Sequence, residues 1–394
     1  MRGRYVSRTW AHDPTLYAPP KYRRACKYDA FIPEGFNDFN PTIPAELAGV
    51  ISDAEAATRS LNDRARPALR PLARLLLRTE SIASSKVEGL QADARSLARA
   101  EAKADVGKNV GSDVAEVLAN IDAMEFAVEE TAARSMITVD GLVDIHHALM
   151  RRAPNASIAG RVRDVQNWIG GNDYNPCGAD FVPPPPEHVA ELLADLCAFC
   201  NSDHLPPLLQ AAVAHAQFET IHPFEDGNGR TGRALIHVLL RRRGLAPSYV
   251  PPISVVLAAY RDRYIDGLSQ YRDGDLDEWI ERFAVAAAQA AHLAERYLGR
   301  VQELQEAWRG QLRDHVDIRA DAAAWAVIDE LPGHPVITVP VATAVTGRSK
   351  SSTAVAVDQL VDAGILLPLS ESKRNRAWEA SGLLDILAEL EAGH

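Results

Sequence analysis

Along most of this chain the apolar positions recur every three to four residues, the rhythm of helices with one buried face. The first forty residues lack that rhythm: YAPPKYRRACKYDAFIPEGF is rich in proline and aromatics and reads as an extended segment laid over a surface. The helical pattern sets in near residue 43, where TIPAE offers a helix start with an early proline and an acid in the first turn. A second run, PALRPLARLLLRTESIASSKVEGLQADARSLARAEA, is broken by the small polar stretch SSKVEG, where two helices are expected to meet. VAEVLANIDAMEFAVEE and DGLVDIHHALMRR predict two more.

The rhythm then fails. GRVRDVQNWIGG alternates polar and apolar residues, reaches a Gly-Asn-Asp-Tyr-Asn-Pro turn, and returns through Ala179, Asp180, Phe181 and Val182 into four prolines. That pattern predicts a short β-hairpin within a mainly α protein. Helices resume near Glu187 and continue to about Gly310. After Asp317 the pattern changes again: a helix, then ITVPVATAVTG and SKSSTAVAVDQLVDAG as helix-turn-helix around Gly347, then two short strands about a basic tip. That order is the shape of a winged helix-turn-helix. Three regions result: 1–109, helical; 110–316, a core with trailing helices; and 317–394, the winged helix.

Composition changes this picture little. At 394 residues the chain is long enough for two or three buried cores. Its formal charge of −11 argues against broad attraction to nucleic acid or anionic lipid. No run is apolar enough for a signal peptide or a membrane span, which predicts a cytoplasmic protein with no membrane partner. Cys197 and Cys200 form a CxxC, but they lie in a helical run with no second ligand pair, and read as small buried residues.

The chemistry concentrates in HPFEDGNGRTGR, residues 222 to 233. Apolar helical sequence precedes it and Arg230 opens another helix, so the stretch is a loop ending at a helix N-terminus, which attracts anions. Gly227, Asn228 and Gly229 allow successive amides to turn toward one oxygen cluster. Arg230 and Arg233, one turn apart, can pair with phosphate oxygens. Asp226 is a hard oxygen ligand suited to Mg²⁺ held mainly by phosphates. His222 has a pKa suited to removing a hydroxyl proton. Any one of these alone would read as a cap, a turn bond or a solvated face; together they point to a metal nucleotide beside an activated hydroxyl.

This run resembles the Fic motif, HPFx(D/E)GNGRxxR, at every specified position. AFIPEGFNDFNPTIP, QFETIHPF and GRVRDVQNWIGG with ADFVPPPPEHV are similar to family segments, the last to its flap. The resemblance implies a Fic-type helical core with a short β-hairpin flap, and adenylylation: transfer of AMP from ATP to a Tyr, Thr or Ser hydroxyl of a target protein. It implies His222 as general base and Asp226 as the Mg²⁺ ligand. ATP would lie against Asp226, Gly227, Asn228, Gly229, Arg230, Thr231, Gly232 and Arg233, with Arg233 toward the γ-phosphate. Ile169, Gly170, Gly171 and Asn172 of the flap, with Tyr264 and Ile265, would line the nucleotide.

Ser84 to Gly89, SSKVEG, resembles the family's inhibitory pattern (S/T)xxxE(G/N). The resemblance implies that Glu88, with Ser84 and Gly89, occupies Arg233 and denies it to the γ-phosphate. An exposed flap edge can add a strand of the target. Arg348, Lys350, Lys373, Arg374 and Arg376 give the last region a basic side, offset by Asp358, Asp362, Glu371 and Glu379, so DNA and protein docking both stand open. Self-modification and a homodimer are open as well. The alternatives are another nucleotide or phosphocholine-type donor, removal of AMP, or a winged-helix regulator that only senses ATP.

Overall fold

The computed structural model describes residues 3–37, 39–63, 70–104, 111–369 and 376–391. Strands β1 (Gly3–Trp10) and β2 (Cys26–Pro33) pair antiparallel, with Gly3 opposite Pro33 and Trp10 opposite Cys26. The N-terminal segment is extended, as the sequence predicts, and its two arms pair as a ladder that the sequence reading did not foresee. Its apolar residues explain why: Ala30, Phe31 and Ile32 are buried, and Phe31 stacks obliquely on Phe181 at 6.2 Å.

Eleven helices follow: α1 (Ala45–Asp63), α2 (Arg70–Val87), α3 (Ala94–Ala104), α4 (Ser112–Phe126), α5 (Val139–Met150), α6 (Pro186–Cys200), α7 (Pro207–Ile221), α8 (Asn228–Arg242), α9 (Ile253–Ala259), α10 (Arg261–Asp273) and α11 (Leu276–His315). Helix α7 is the axis of the core, with every residue from Leu208 to Ile221 buried. Its polar residues therefore need internal partners. Gln210 donates to the Phe199 and Ser202 carbonyls, and the Tyr271 hydroxyl donates to Gln217. Helix α2 is nearly as enclosed, and its Glu80 accepts from Ser254 Oγ at 2.6 Å and the Ser254 amide at 2.8 Å, and pairs with His237 Nε2 at 2.8 Å. This cluster pins α2 to α8 and α9.

Residues 160–182 double back as the sequence predicts, but the pairing is the single bridge of Ile169 with Phe181. Gly170 and Gly171 at positive φ bend one arm, and Pro183 to Pro186 lack the N–H groups that would extend a ladder. The flap leans instead on the N-terminal hairpin. Phe31 donates its amide to the Val182 carbonyl at 2.9 Å, Trp10 meets Trp168 edge-on at 5.7 Å, and Cys26 is disulfide-bonded to Cys177.

The C-terminal region holds α12 (Ala323–Glu330), β3 (Val336–Thr338), α13 (Val339–Thr346), α14 (Lys350–Asp362), β4 (Leu366–Pro368), β5 (Ala377–Ala380) and α15 (Leu383–Glu391). Its antiparallel sheet has the order β3-β5-β4. Gly347 at φ 65° ends α13, and Ser349 caps α14 by accepting from the Ser352 amide. Glu371, Lys373 and Arg374 lie outside the described residues. The buried apolar residues of this region join those of α2, α3, α4 and the second half of α11 in one cluster. Arg95 and Arg99 of α3 add ion pairs to Glu379 at 3.1 and 3.3 Å. Among the described residues no helix is long and apolar enough to cross a membrane. Cys197 and Cys200 are free and buried on α6, and burial pushes the Cys197 thiol up to about 12.

Candidate active site

Helix α7 stops at His222, the one non-glycine residue at positive φ (49°) among the described residues. Such a conformation persists only where neighbours enforce it. Here Pro223 follows, and the His222 carbonyl accepts from Arg163 Nε at 2.8 Å and Asn167 Nδ2 at 3.2 Å. The loop is closed by Asn228, whose side chain accepts from the Phe224 amide and donates to the Phe224 carbonyl, both at 2.8 Å. His146 stacks on Phe224 at 3.8 Å and reaches the Asp226 carbonyl at 3.1 Å. Gly227 at φ 75° starts α8 against Met150 and Leu149, where a Cβ would come within 3.0 Å. Asn228 thus acts as a clamp, while the amides of the first α8 turn are left without intrahelical acceptors.

His222 is largely buried, with Nδ1 3.3 Å from the Glu219 carbonyl. Burial lowers its pKa to about 4, and the nearby Arg163 and Arg272 charges act in the same direction. The imidazole is therefore neutral at neutral pH and able to accept a proton. Asp226 is half exposed; its carboxylate accepts from the Gly227 amide at 2.6 Å and from Asn155 at 3.2 Å. Among the described residues no three His, Cys, Asp or Glu side chains gather to hold a metal. A single half-exposed carboxylate fits an ion whose remaining ligands are phosphate and water.

The two arginines of α8 diverge. Arg230 runs toward α4 and α5, 3.6 Å from Glu116 and 3.9 Å from Asp226, and its Nε and Nη1 are buried without an acceptor. Arg233 turns to α2: Nε donates to Ser84 Oγ at 2.9 Å, and Nη2 donates to the Ser84 carbonyl at 2.8 Å and to Glu88 Oε1 at 2.6 Å. Gly89 at φ 84° ends the turn that delivers Glu88. Burial alone would raise the Glu88 pKa, but the Arg233 charge and hydrogen bond, with Arg230 and His222, outweigh it and hold it below the ordinary value. Its Oε1 lies against Gly229, where an added Cβ would collide with it. Thr231 is fully buried, and Gly232 faces Glu219.

The flap residues serve its own turn. Asn172 Oδ1 accepts from the Tyr174 and Asn175 amides, its Nδ2 donates to the Cys177 carbonyl, and a Cβ on Gly170 or Gly171 would strike the returning arm. Ile169 and Ile265 are partly exposed. Tyr264 is buried beneath the site, its hydroxyl 2.9 Å from His215 Nε2. It also lines a cavity of about 480 Å³ with Tyr260, Arg263 and Trp279, a space that includes neither His222 nor Arg233.

Three site residues escape the sequence reading. Arg163 looks like one more polar residue of an alternating strand, yet it is buried and binds the His222, Ile221 and Pro184 carbonyls. Arg272 lies 4.0 Å over the Phe181 ring. Glu219 is buried beside His222, and it had a signal: it is the one acid in the mostly apolar LLQAAVAHAQFETI.

Residues 136–240 match the Fic/DOC family and residues 50–129 match the Fic/DOC family N-terminal region. Protein adenylyltransferase fic-1 of Caenorhabditis briggsae is 30% identical over 166 residues, 41% of this chain and 29% of that protein. Protein adenylyltransferase Fic of Nematostella vectensis is 31% identical over 171 residues, 42% of this chain and 36% of that protein. The matched part is thus about a third of these relatives' length. In fold, the chain is similar to a Fic family protein from Desulfovibrio desulfuricans G20, with a TM-score of 0.53 at 20% identity, covering 87% of this chain and 99% of that one. Fic-1 (aa134–508) from C. elegans gives 0.52 at 22%, covering 66% and 74%.

Proposed function

We propose that this chain, a Fic-domain protein related to known Fic adenylyltransferases, is an autoinhibited protein adenylyltransferase that moves AMP from ATP to a hydroxyl of a target protein. The observation that carries the reading is the 2.6 Å contact of Glu88 with Arg233 at the N-terminal turn of α8, beside a neutral His222. An anion already sits where the γ-phosphate would, on the donors it would need.

In the reaction, His222 Nε2 accepts the target's hydroxyl proton, and the hydroxyl oxygen attacks the α-phosphorus as the bond to pyrophosphate breaks. The amides of the α8 N-terminus and Arg233 hold the phosphates, which is most of what phosphoryl transfer asks of a protein. Asp226 would hold Mg²⁺ arriving with ATP, which neutralises phosphate charge. Glu88 must leave Arg233 for the γ-phosphate to settle. The flap presents the target backbone, with β2 covering one side of it.

The C-terminal region is proposed as a winged helix that docks protein. The exposed face of α14 carries Lys350, Ser351, Ser352, Val355, Asp358 and Asp362, so its carboxylates outnumber its one cation and disfavour a phosphate backbone. Tight duplex binding that weakens steeply with salt would contradict this and assign the region to DNA.

The test of the activity is to incubate native protein and Glu88→Gly with labelled ATP and a cell extract. Label should pass to protein at least about tenfold faster with Glu88→Gly, and His222→Ala should abolish it. Equal rates would remove Glu88 from control. No transfer of any nucleotide by Glu88→Gly would end the transferase reading.

A further inference from the structure

Glu219 stands one helical turn before His222 near the end of α7, and is 7% exposed. Its Oε1 has no hydrogen-bond partner among the described residues, and Oε2 lies 3.9 Å from His222 Nδ1. The same residue's carbonyl is 3.3 Å from that Nδ1, so both of its polar groups address one ring nitrogen of the imidazole. An apolar side chain would fill this place without the penalty of burying a carboxyl. Room has been left for it: a Cβ on Gly232 would come within 2.5 Å of Oε1. The charged and titratable groups facing it are His215 on α7 and His222 just past its end, Arg233 on α8, Glu88 just past α2, and Tyr264 and Arg272 on α10.

We propose that Glu219 is the positioning carboxyl of the general base: its carbonyl fixes Nδ1–H of His222, leaving Nε2 free, and its side chain compensates the imidazolium formed when the hydroxyl proton arrives. The proposal rests on the transferase reading for its kinetic consequence, though not for the pairing itself. The proton balance is simple. The hydroxyl proton moves to Nε2, Nδ1 keeps its own, and an ionised Glu219 then forms a neutral pair with the imidazolium. Burial raises the Glu219 pKa to about 8 against the opposing Arg233 charge, so the carboxyl ionises as pH rises through that range. Transfer should therefore speed up on the alkaline side, since the ionised form stabilises the protonated base.

The experiment compares Glu88→Gly with Glu88→Gly/Glu219→Gln, which conserves the side chain's shape. At pH 8.5 the double variant should show kcat lower by about tenfold or more, KM for ATP within about twofold, and no rising limb near pH 8. An unchanged kcat and pH profile would reduce Glu219 to packing. A second readout needs no nucleotide: ¹⁵N-histidine NMR of the otherwise native chain. The His222 ring nitrogens should shift once in acid and again near pH 8, and Glu219→Gln should abolish the second step. Absence of that step in the parent, or its survival in the variant, overturns the pairing. If the step is present but Glu88→Gly transfers no label, the transferase reading fails while the pair stands.

Discussion

Glu88 and Arg233 come from helices 145 residues apart in sequence and meet at 2.6 Å, with the carboxylate laid against Gly229 at the mouth of α8. Arg233 is 1% exposed on its side chain, whereas Glu88 is 37% exposed. The asymmetry gives each a different freedom. Arg233 is enclosed by its surroundings, and Glu88, just past the end of α2, is the more accessible partner. If the proposed inhibition holds, control at this site is a question of how firmly α2 is held.

Ser84 is one of the things holding it. Ser84→Ala removes the acceptor of Arg233 Nε but leaves the carbonyl that accepts from Nη2. Stability should fall by about 1 kcal/mol, and basal transfer should rise less than in Glu88→Gly. A urea titration and a labelled-ATP assay check both. Basal transfer equal to that of Glu88→Gly would mean that Ser84, and not Glu88, is the decisive contact.

Glu80 holds α2 from deeper inside. Glu80→Ala leaves His237 Nε2 and both donors of Ser254 without their acceptor in a fully buried place. The expected loss is about 3 kcal/mol or more, read from the denaturant midpoint at constant slope. A change below about 1 kcal/mol would show that water or a neighbour satisfies those groups.

Acid should loosen the fold through buried histidines. Burial lowers His146 and His222 to about 4 and His215 to about 3. Between those values and the ordinary histidine range, the unfolded chain binds more protons than the folded one. Stability is then full above about pH 6.5 and falls as pH drops toward 4. Glu219, raised to about 8, works oppositely over part of that window, since its neutral form is favoured in the folded protein. His334, also lowered to about 4 by burial, adds to the histidine side, and Glu125 and Glu330, raised by burial, add to that of Glu219. The larger histidine shifts predict a net loss on acidification, and His215→Gln should flatten the curve of urea midpoint against pH. A midpoint that rises from pH 7 to 4.5 would refute this balance.

Reduction should act on the N-terminal hairpin and the flap rather than on the core. The Cys26–Cys177 bond joins positions 151 residues apart in sequence. Tyr22 stacks on Tyr174 at 5.2 Å and Asn175 donates to the Tyr22 carbonyl at 2.9 Å, so contact persists without the bond. Cys177→Ser is expected to speed protease cleavage within residues 11–25 and 170–180 while leaving the far-UV circular dichroism unchanged. Identical cleavage with and without reductant would mean that the aromatic contacts alone fix the two segments.

Helices were the most legible part of the sequence, because a buried stripe repeats over many residues: α1 follows its early Pro44, and α2 ends at the small, polar SSKVEG. The loop of residues 222–233 was legible because its glycines, carboxylate and cations are contiguous. Arg163 and Arg272 were not, since each gains its role from a carbonyl or ring over fifteen residues away. The hairpin at 3–33 was missed for a different reason. Prolines and aromatics between the strands hide the alternation, and what organises it is a surface supplied by the flap. The divergence of Arg230 from Arg233 depends on Glu116 and Met150, which local spacing does not foretell.

Helix α11 runs for 40 residues, about 60 Å. Trp279, Phe283 and Ala287 lie in the core around α7, while Leu298, Val301, Trp308 and Leu312 lie in the one shared with the C-terminal region. The change of pattern near residue 317 is therefore not a seam in the apolar packing. Cutting the chain after His315 would leave one wall of the second core facing water, with Trp308 and Leu312 bare beside α2. Heat should meet the same continuity, melting the two cores in one transition, because neither can shed its share of α11 without unroofing the other.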